Sequence, residues 1–265
     1  MQRRVTLRQS LAGIWLGVLA TVVSAASASA SFNVNPARHT VTTTTLTGRP
    51  VTKVNVENDN GDIILRPGRR GTVLRTEAWN FVRPSYTQSL RSGTLMIRAS
   101  CPKNVPHNRC SVRLVITVPR GVDIDAATTN GSVRASGFDG RTTAAATTNG
   151  DVDVSLDAQP VSLSVEATNG DVSAAAIGKV QAPHSSVSAK STNGNVDVSL
   201  MHAPTTLALA TINGNVRGTV PAGSYRLTTR TLFGRVSVNG LRNDPAAANA
   251  LSATTISGSI TLSGA

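Results

Sequence analysis

The stretch "TTNGDVDVSL", Thr147 to Leu156, decides how this chain is to be read, because close copies of its first six residues recur through the second half of the sequence. The copies are "TTNGSV" from Thr128, "TTNGDV" from Thr147, "ATNGDV" from Ala167, "STNGNV" from Ser191, "TINGNV" from Thr211, "TLFGRV" from Thr231 and "TISGSI" from Thr255. Their glycines are spaced 19, 20, 24, 20, 20 and 24 residues apart, a period in the range of repeat architectures. An outlying copy, "NDNGDI" from Asn58, lies far upstream.

Between these phrases the residues alternate. Val152, Val154 and Leu156, and again Val161, Leu163, Val165 and Ala167, place an apolar side chain at every second position, as a strand with one buried face requires. "DAQP" at 157–160 separates the two runs, so each unit reads as two short strands and two turns. The expected turn residues are Asn130 and Gly131, Asn149 and Gly150, Asn169 and Gly170, Asn193 and Gly194, Asn213 and Gly214, then Gly234 and Gly258 alone. Asn and Gly both tolerate positive φ at low cost.

Asn-Gly between strands is also a strong hairpin signal, so an antiparallel β meander or barrel is the alternative fold. What recurs favours stacking. In a solenoid each coil lies about 4.8 Å from the last and each residue meets its own counterpart, which rewards sameness. Asn side chains in register can then form hydrogen-bonded ladders. Phe, Trp and Tyr make up only 3% of the chain, and the small β-branched residues that dominate suit a thin interior. The expected fold is all-β: a parallel β-solenoid, a single-stranded β-helix of about 20-residue coils, with an irregular N-terminal β cap.

The run "VRLVITVPRGVDIDAATTNGSVRASGFDGRTTAAATTNGDVDVSL", Val112 to Leu156, resembles the bacterial DUF4097 family of adhesin-like proteins, in which a V-x-V-P-x-G-V strand leads into repeated T-x-N-G-x-V coils. The resemblance extends over 51–263 and implies a β-helical, extracytoplasmic domain with an adhesin role; some relatives are linked to envelope-stress signalling. It supplies no catalytic residues. "TLFGRV" and "TISGSI" depart from the pattern by losing Asn, which weighs against an Asn ladder in those two coils.

The chain opens with Arg3, Arg4 and Arg8, an apolar run from Leu11 to Ala26, and Ala28-Ser29-Ala30. This is the form of a secretory signal peptide over 1–30, cleaved after Ala30. Its apolar run is shorter than the roughly 20 residues that cross a bilayer, and no later stretch is apolar enough to span. The mature chain divides into a basic N-terminal β region and cap, 31–123, and the repeat solenoid, 124–265. "TTISGSITLSGA" finishes almost as its coil completes, with no evident cap beyond it.

Cys101 and Cys110 bracket "PKNVPHNR" between two strand-like runs. In an oxidising compartment such a pair reads as a disulfide closing a hairpin loop; a redox pair or a metal half-site with His107 lacks the spacing or the further ligands. Trp79, Phe81 and Tyr86 gather the few large rings in the first region, as a cap core rather than a ligand platform. Residues 31–123 hold 14 Lys and Arg against 5 Asp and Glu, whereas 124–265 hold 9 of each. Within the latter, 198–265 carries Arg217, Arg226, Arg230, Arg235 and Arg242 against Asp244 alone.

An exported cationic surface is drawn to an anionic envelope polymer, lipid head groups or an envelope protein, with strong salt dependence. Arg66, Arg69 and Arg70 in "RPGRRG" are a candidate anion contact, set against ordinary solvated turn charge. Nucleic acid is disfavoured by export and by coils without interleaved aromatics. Asp151 and Asp171 occupy equivalent places and fall one above the other, as paired carboxylates would, yet stacking follows from the repeat itself, and Asn195 and Asn215 replace them in the next coils. A Ca²⁺ site is disfavoured because the glycine-rich nonapeptide repeat is absent. His39, His107, His184 and His202 fall at the mature start or in breaks between strands, and GxSxG, GxxxxGK[ST] and HExxH are all missing.

No catalytic residues, metal or cofactor are therefore expected. Two functions remain: a non-enzymatic adhesin-like binding module for envelope or surface polymers or proteins, and a periplasmic envelope-stress or scaffold component with one protein partner, including self-association through the solenoid ends.

Overall fold

The computed structural model describes residues 38–46, 50–182 and 184–265; the expected signal peptide lies outside the described residues. Every regular element among them is a β-strand. The first seven are β1 (Arg38–Thr45), β2 (Lys53–Asn60), β3 (Ile63–Pro67), β4 (Thr72–Trp79), β5 (Ser85–Arg91), β6 (Thr94–Ser100) and β7 (Ser111–Val118). Strands then come in pairs, one on each side of a Gly turn: β8 (Asp123–Asn130) and β9 (Val133–Phe138), β10 (Thr142–Asn149) and β11 (Val152–Leu156), β12 (Ser162–Asn169) and β13 (Val172–Ala176), β14 (Ser186–Asn193) and β15 (Val196–Leu200), β16 (Thr206–Ala210) and β17 (Val216–Val220). The last five are β18 (Gly223–Arg230), β19 (Val236–Asn239), β20 (Leu241–Asn243), β21 (Ala250–Thr254) and β22 (Ile260–Gly264).

The strands form two sheets of eleven, and the two members of each pair belong to opposite sheets. Across the repeats all pairing is parallel and in register: Asn149 lies opposite Asn130 on one side and Asn169 on the other, and Val152 lies between Val133 and Val172. That pattern excludes the antiparallel meander and makes the fold β-solenoid-like. Each strand pair is a rung. Antiparallel pairing is confined to the other end, where β4 joins β1 and β7, and β5 joins β6.

The alternation read from the sequence becomes columns in the stack. Val133, Val152, Val172, Val196, Val216 and Ile260 stand one upon another with at most 1% exposure, and Ala126, Ala145, Val165, Ala189, Leu209 and Ala253 line the opposite sheet. One continuous apolar core runs between the sheets. Each methyl group touches like neighbours above and below, so a core almost without aromatic rings still packs closely. Phe138, the one large ring at its centre, is inserted by a bulge: Ser155 and Leu156 oppose Ser136 and Phe138, and Gly137, skipped between them, takes φ of +78°.

Chain order and stacking order differ in two places. The upstream "NDNGDI" copy is no outlier. β2 and β3 pair with β8 and β9, Asn60 faces Asn130, and 68–122 loops out to supply β4–β7. The first rung therefore precedes the 123/124 division read from composition. At the other end, β21 and β22 do not close the stack. They slot between β16–β17 and β18–β19, so "TLFGRV" forms the terminal rung and "TISGSI" the one beneath it. β20 pairs with the first three residues of β18.

Candidate binding groove

At the repeated corner the structure divides the labour differently from the expectation that Asn and Gly both take positive φ. Only the glycines do: +140° at Gly131, +143° at Gly150, +154° at Gly170 and Gly214, +157° at Gly194 and +152° at Gly258. The asparagines end their strands and use their side chains to build a ladder. Asn149 Nδ2 donates to Asn130 Oδ1 (2.8 Å), Asn169 to Asn149 (2.9 Å), Asn193 to Asn169 (2.8 Å) and Asn213 to Asn193 (2.9 Å). The ladder stops where Ser257 and Phe233 take the place of Asn.

Two further ladders run beside it. The Thr or Ser that opens each phrase donates to the Gly carbonyl of the preceding rung: Thr147 to Gly131 (2.8 Å), Ser191 to Gly170 (2.9 Å), Thr211 to Gly194 (2.8 Å), Thr255 to Gly214 (3.0 Å) and Thr231 to Gly258 (3.0 Å). Ala167 interrupts this series at Gly150. The residue after each Gly accepts from the next rung: Asp151 Oδ1 from Asp171 N–H (3.0 Å), Asp171 Oδ1 from Asn195 N–H (2.7 Å), and Asn195 Oδ1 from Asn215 N–H (2.9 Å). Asp151 and Asp171 thus cap backbone donors, work that Asn does equally well. The sequence held the signal for this, since Ser132, Asp151, Asp171, Asn195, Asn215 and Ser259 interchange at the place after Gly.

Alongside the corner runs a groove of about 1040 Å³ that crosses every rung from Glu57 and Asp59 to Arg230 and Leu232. Register sets its two outer rows. One reads Asp59, Thr129, Thr148, Thr168, Thr192, Ile212, Ile256, Leu232; the other reads Glu57, Ala127, Ala146, Glu166, Lys190, Ala210, Thr254, Arg230. The alanines leave the trough and the threonines present hydroxyls along its lip. Seven steps of about 4.8 Å make it roughly 34 Å long. Its charges are balanced: Lys190 pairs with Glu166 at 3.6 Å and Arg98 with Glu57 at 2.6 Å. Sequence reasoning missed the groove because the Thr before each Asn was read as part of the turn, with no sign that it borders a trough.

The other candidate residues are scattered. Arg66, Arg69 and Arg70 are exposed near the end of β3 and after it, away from the groove lining. Cys101 and Cys110 are joined, with Cα atoms 5.8 Å apart. The aromatics do not form a platform: Trp79 is buried, Phe81 is exposed, and Tyr86 lies under the Arg75 guanidinium at 3.9 Å. Burial pushes the Tyr86 phenol up to about 12, Arg75 opposing and Glu77 adding to the effect. Glu77, 1% exposed, is held by Arg75 (3.0 Å), Arg83 (2.8 Å) and the Thr40 hydroxyl (3.2 Å). His107 and His184 sit in exposed turns with φ of +59°. Among the described residues, no three His, Cys, Asp or Glu side chains group to hold a metal ion, and no helix is long and apolar enough to cross a membrane.

The DUF4097 model, described as Toastrack, matches residues 20–217. The chain belongs to this family. The match ends within β17, so the Toastrack assignment covers the antiparallel elements and the rungs up to that strand, and stops short of the out-of-order ones. Among solved structures, the chain is similar to a putative cell adhesion protein from Clostridium sporogenes, at 12% identity over 86% of this chain and 100% of that one, TM-score 0.39. It is also similar to a putative adhesin from Bacteroides fragilis, at 10% identity over 85% and 97%, TM-score 0.39. No curated protein matches it.

Proposed function

We propose that this exported Toastrack protein is a non-enzymatic, adhesin-like module that binds an extended polymer of the cell envelope or cell surface along the Thr and Ala groove. The observation that carries the reading is continuity: one trough crosses all the rungs, and its lining repeats at the coil spacing. A rigid stack of coils of about 20 residues, closed at one end by β1 and β4–β7 as a cap, offers a linear ligand many weak equivalent contacts, whose sum gives affinity. The carboxylates with a catalytic look, Asp151 and Asp171, are occupied in accepting backbone hydrogen bonds. The basic N-terminal region, with Arg66, Arg69 and Arg70, supplies the long-range attraction for an anionic polymer.

The test is affinity electrophoresis through gels containing purified anionic envelope polysaccharide. Thr148→Trp with Thr168→Trp fills the trough and should weaken retardation at least tenfold, while neutralising Arg66, Arg69 and Arg70 should remove mainly the salt-sensitive part. Retardation unchanged by the two tryptophans would refute the groove. An envelope-stress or scaffold role through one protein partner, in the periplasm, differs in its salt response: such a complex should persist at a few hundred millimolar salt, where polymer held by charge is released.

A further inference from the structure

The terminal rung is built unlike the others. Where the groove's lip is Thr129, Thr148, Thr168 and Thr192 over the earlier rungs, it becomes Ile212, Ile256 and Leu232 over the last three, and Phe233 replaces the ladder Asn beside them. These four side chains are exposed, Leu232 by 61% and Phe233 by 72%. They occupy places where the repeat puts polar residues, so core packing does not account for them. The same rung and the short strand β20 beyond it carry Arg226, Arg230, Arg235 and Arg242, all exposed. None of the four is in an ion pair among the described residues, and Asp244 is the one acid within 198–265.

We infer that this apolar corner, ringed by unpaired arginines, docks the end of the stack onto an anionic lipid surface, with Phe233, Leu232 and the two isoleucines entering the head-group boundary and the guanidiniums meeting lipid phosphates. The pairing of a shallow apolar wedge with cations is the chemistry of interfacial membrane binding. Two other occupants fit less well. A second copy meeting this end would oppose four arginines with four more. An added β-strand along β19 would cover Val236 and Val238, whose side chains face the uncovered end of the core, yet would leave the more exposed Phe233 and Leu232 in water. The docking corner takes in the Leu232 and Arg230 end of the groove and leaves its Thr148 and Thr168 stretch free, so it would hold that groove upright on the membrane.

Co-sedimentation of the purified protein with vesicles tests it. Vesicles of equal phosphatidylglycerol and phosphatidylcholine should carry the protein down at low salt, vesicles of phosphatidylcholine alone at least tenfold less. Phe233→Ser with Leu232→Ser, and separately Arg230→Gln with Arg235→Gln, should each lower binding about tenfold or more, while Thr148→Trp with Thr168→Trp should leave it unchanged. The altered side chains are exposed, and an unchanged denaturant midpoint confirms an intact fold. In Phe233→Trp, emission should shift to the blue on adding the anionic vesicles. Absence of vesicle binding, binding by either the serine or the glutamine pair equal to that of the unaltered protein, or a dimer in sedimentation velocity that Val236→Pro dissociates would each overturn the proposal.

Discussion

Replacing Gly150 by Ala tests whether vertical registry shapes the corner. The residue has φ of +143°, and a Cβ built on it lies 2.2 Å from the Gly131 carbonyl oxygen and 2.6 Å from its carbon. Contact distance is longer by roughly 1 Å, and the obstruction is backbone, so the rungs must separate. Separation stretches the bonds that join them here, Gly131 N–H to Asn149 C=O at 2.8 Å and Val133 N–H to Asp151 C=O at 3.0 Å, beyond useful length. Two such bonds at about 1 kcal/mol each, with about 1–3 kcal/mol for the backbone conformation, give a loss of about 3–5 kcal/mol. Gly234→Ala is the control. Its Cβ would meet the Gly258 carbonyl oxygen at 1.9 Å, but no rung lies beyond it, so the strand can recoil into solvent at a cost of about 1 kcal/mol. Guanidinium unfolding of both variants measures the difference at constant m. Equal losses, or a loss below about 1 kcal/mol for Gly150→Ala, would refute the argument.

Three further outcomes follow from particular contacts. Ala167→Ser restores the missing hydroxyl opposite the Gly150 carbonyl and should stabilise by about 1 kcal/mol in the same unfolding assay. Glu77→Ala strands Arg75 and Arg83 beside a buried void and should destabilise by about 3–5 kcal/mol. Both tyrosines of the chain resist ionisation, Tyr86 through burial with Arg75 opposing and Tyr225 through burial alone, so absorbance near the phenolate band should titrate with Tyr86 at about 12 in the folded protein and near 10 once unfolded. Because the folded value is the higher one, the stability linked to Tyr86 is complete below about pH 10 and declines between pH 10 and 12.

Much of this was legible in the sequence, for identifiable reasons. A parallel stack places Asn130 on Asn149 on Asn169, so the repeated phrase is a direct trace of the contact between coils. The pairing of the two cysteines was legible from their spacing, but the loop they close joins β6 of one sheet to β7 of the other and is not the hairpin expected. What was hidden was order. Asn58 belongs beside Thr128, but the insertion of 68–122 separates them in sequence, and equivalent rungs carry no label saying which neighbour each prefers. The same ambiguity concealed the exchange between "TLFGRV" and "TISGSI". The clue was composition: Leu232 and Phe233 beside three arginines suit an end, whereas Thr255 to Ile260 suits an interior place. The groove escaped notice because its lip, Thr129, Thr148, Thr168 and Thr192, belongs to the repeated phrase and reads there as part of the turn.

The interleaving of β21 and β22 between older layers constrains assembly in time. Rungs up to Val220 can zip in the sequence in which they are synthesised, but β18 and β19 have no rung to stack on until 250–264 arrives, since both join the stack through that later piece. The Arg-rich end is thus the last surface to take shape, created only when a strand pair slides beneath it, and whatever it grips can be gripped only by a molecule that has finished folding.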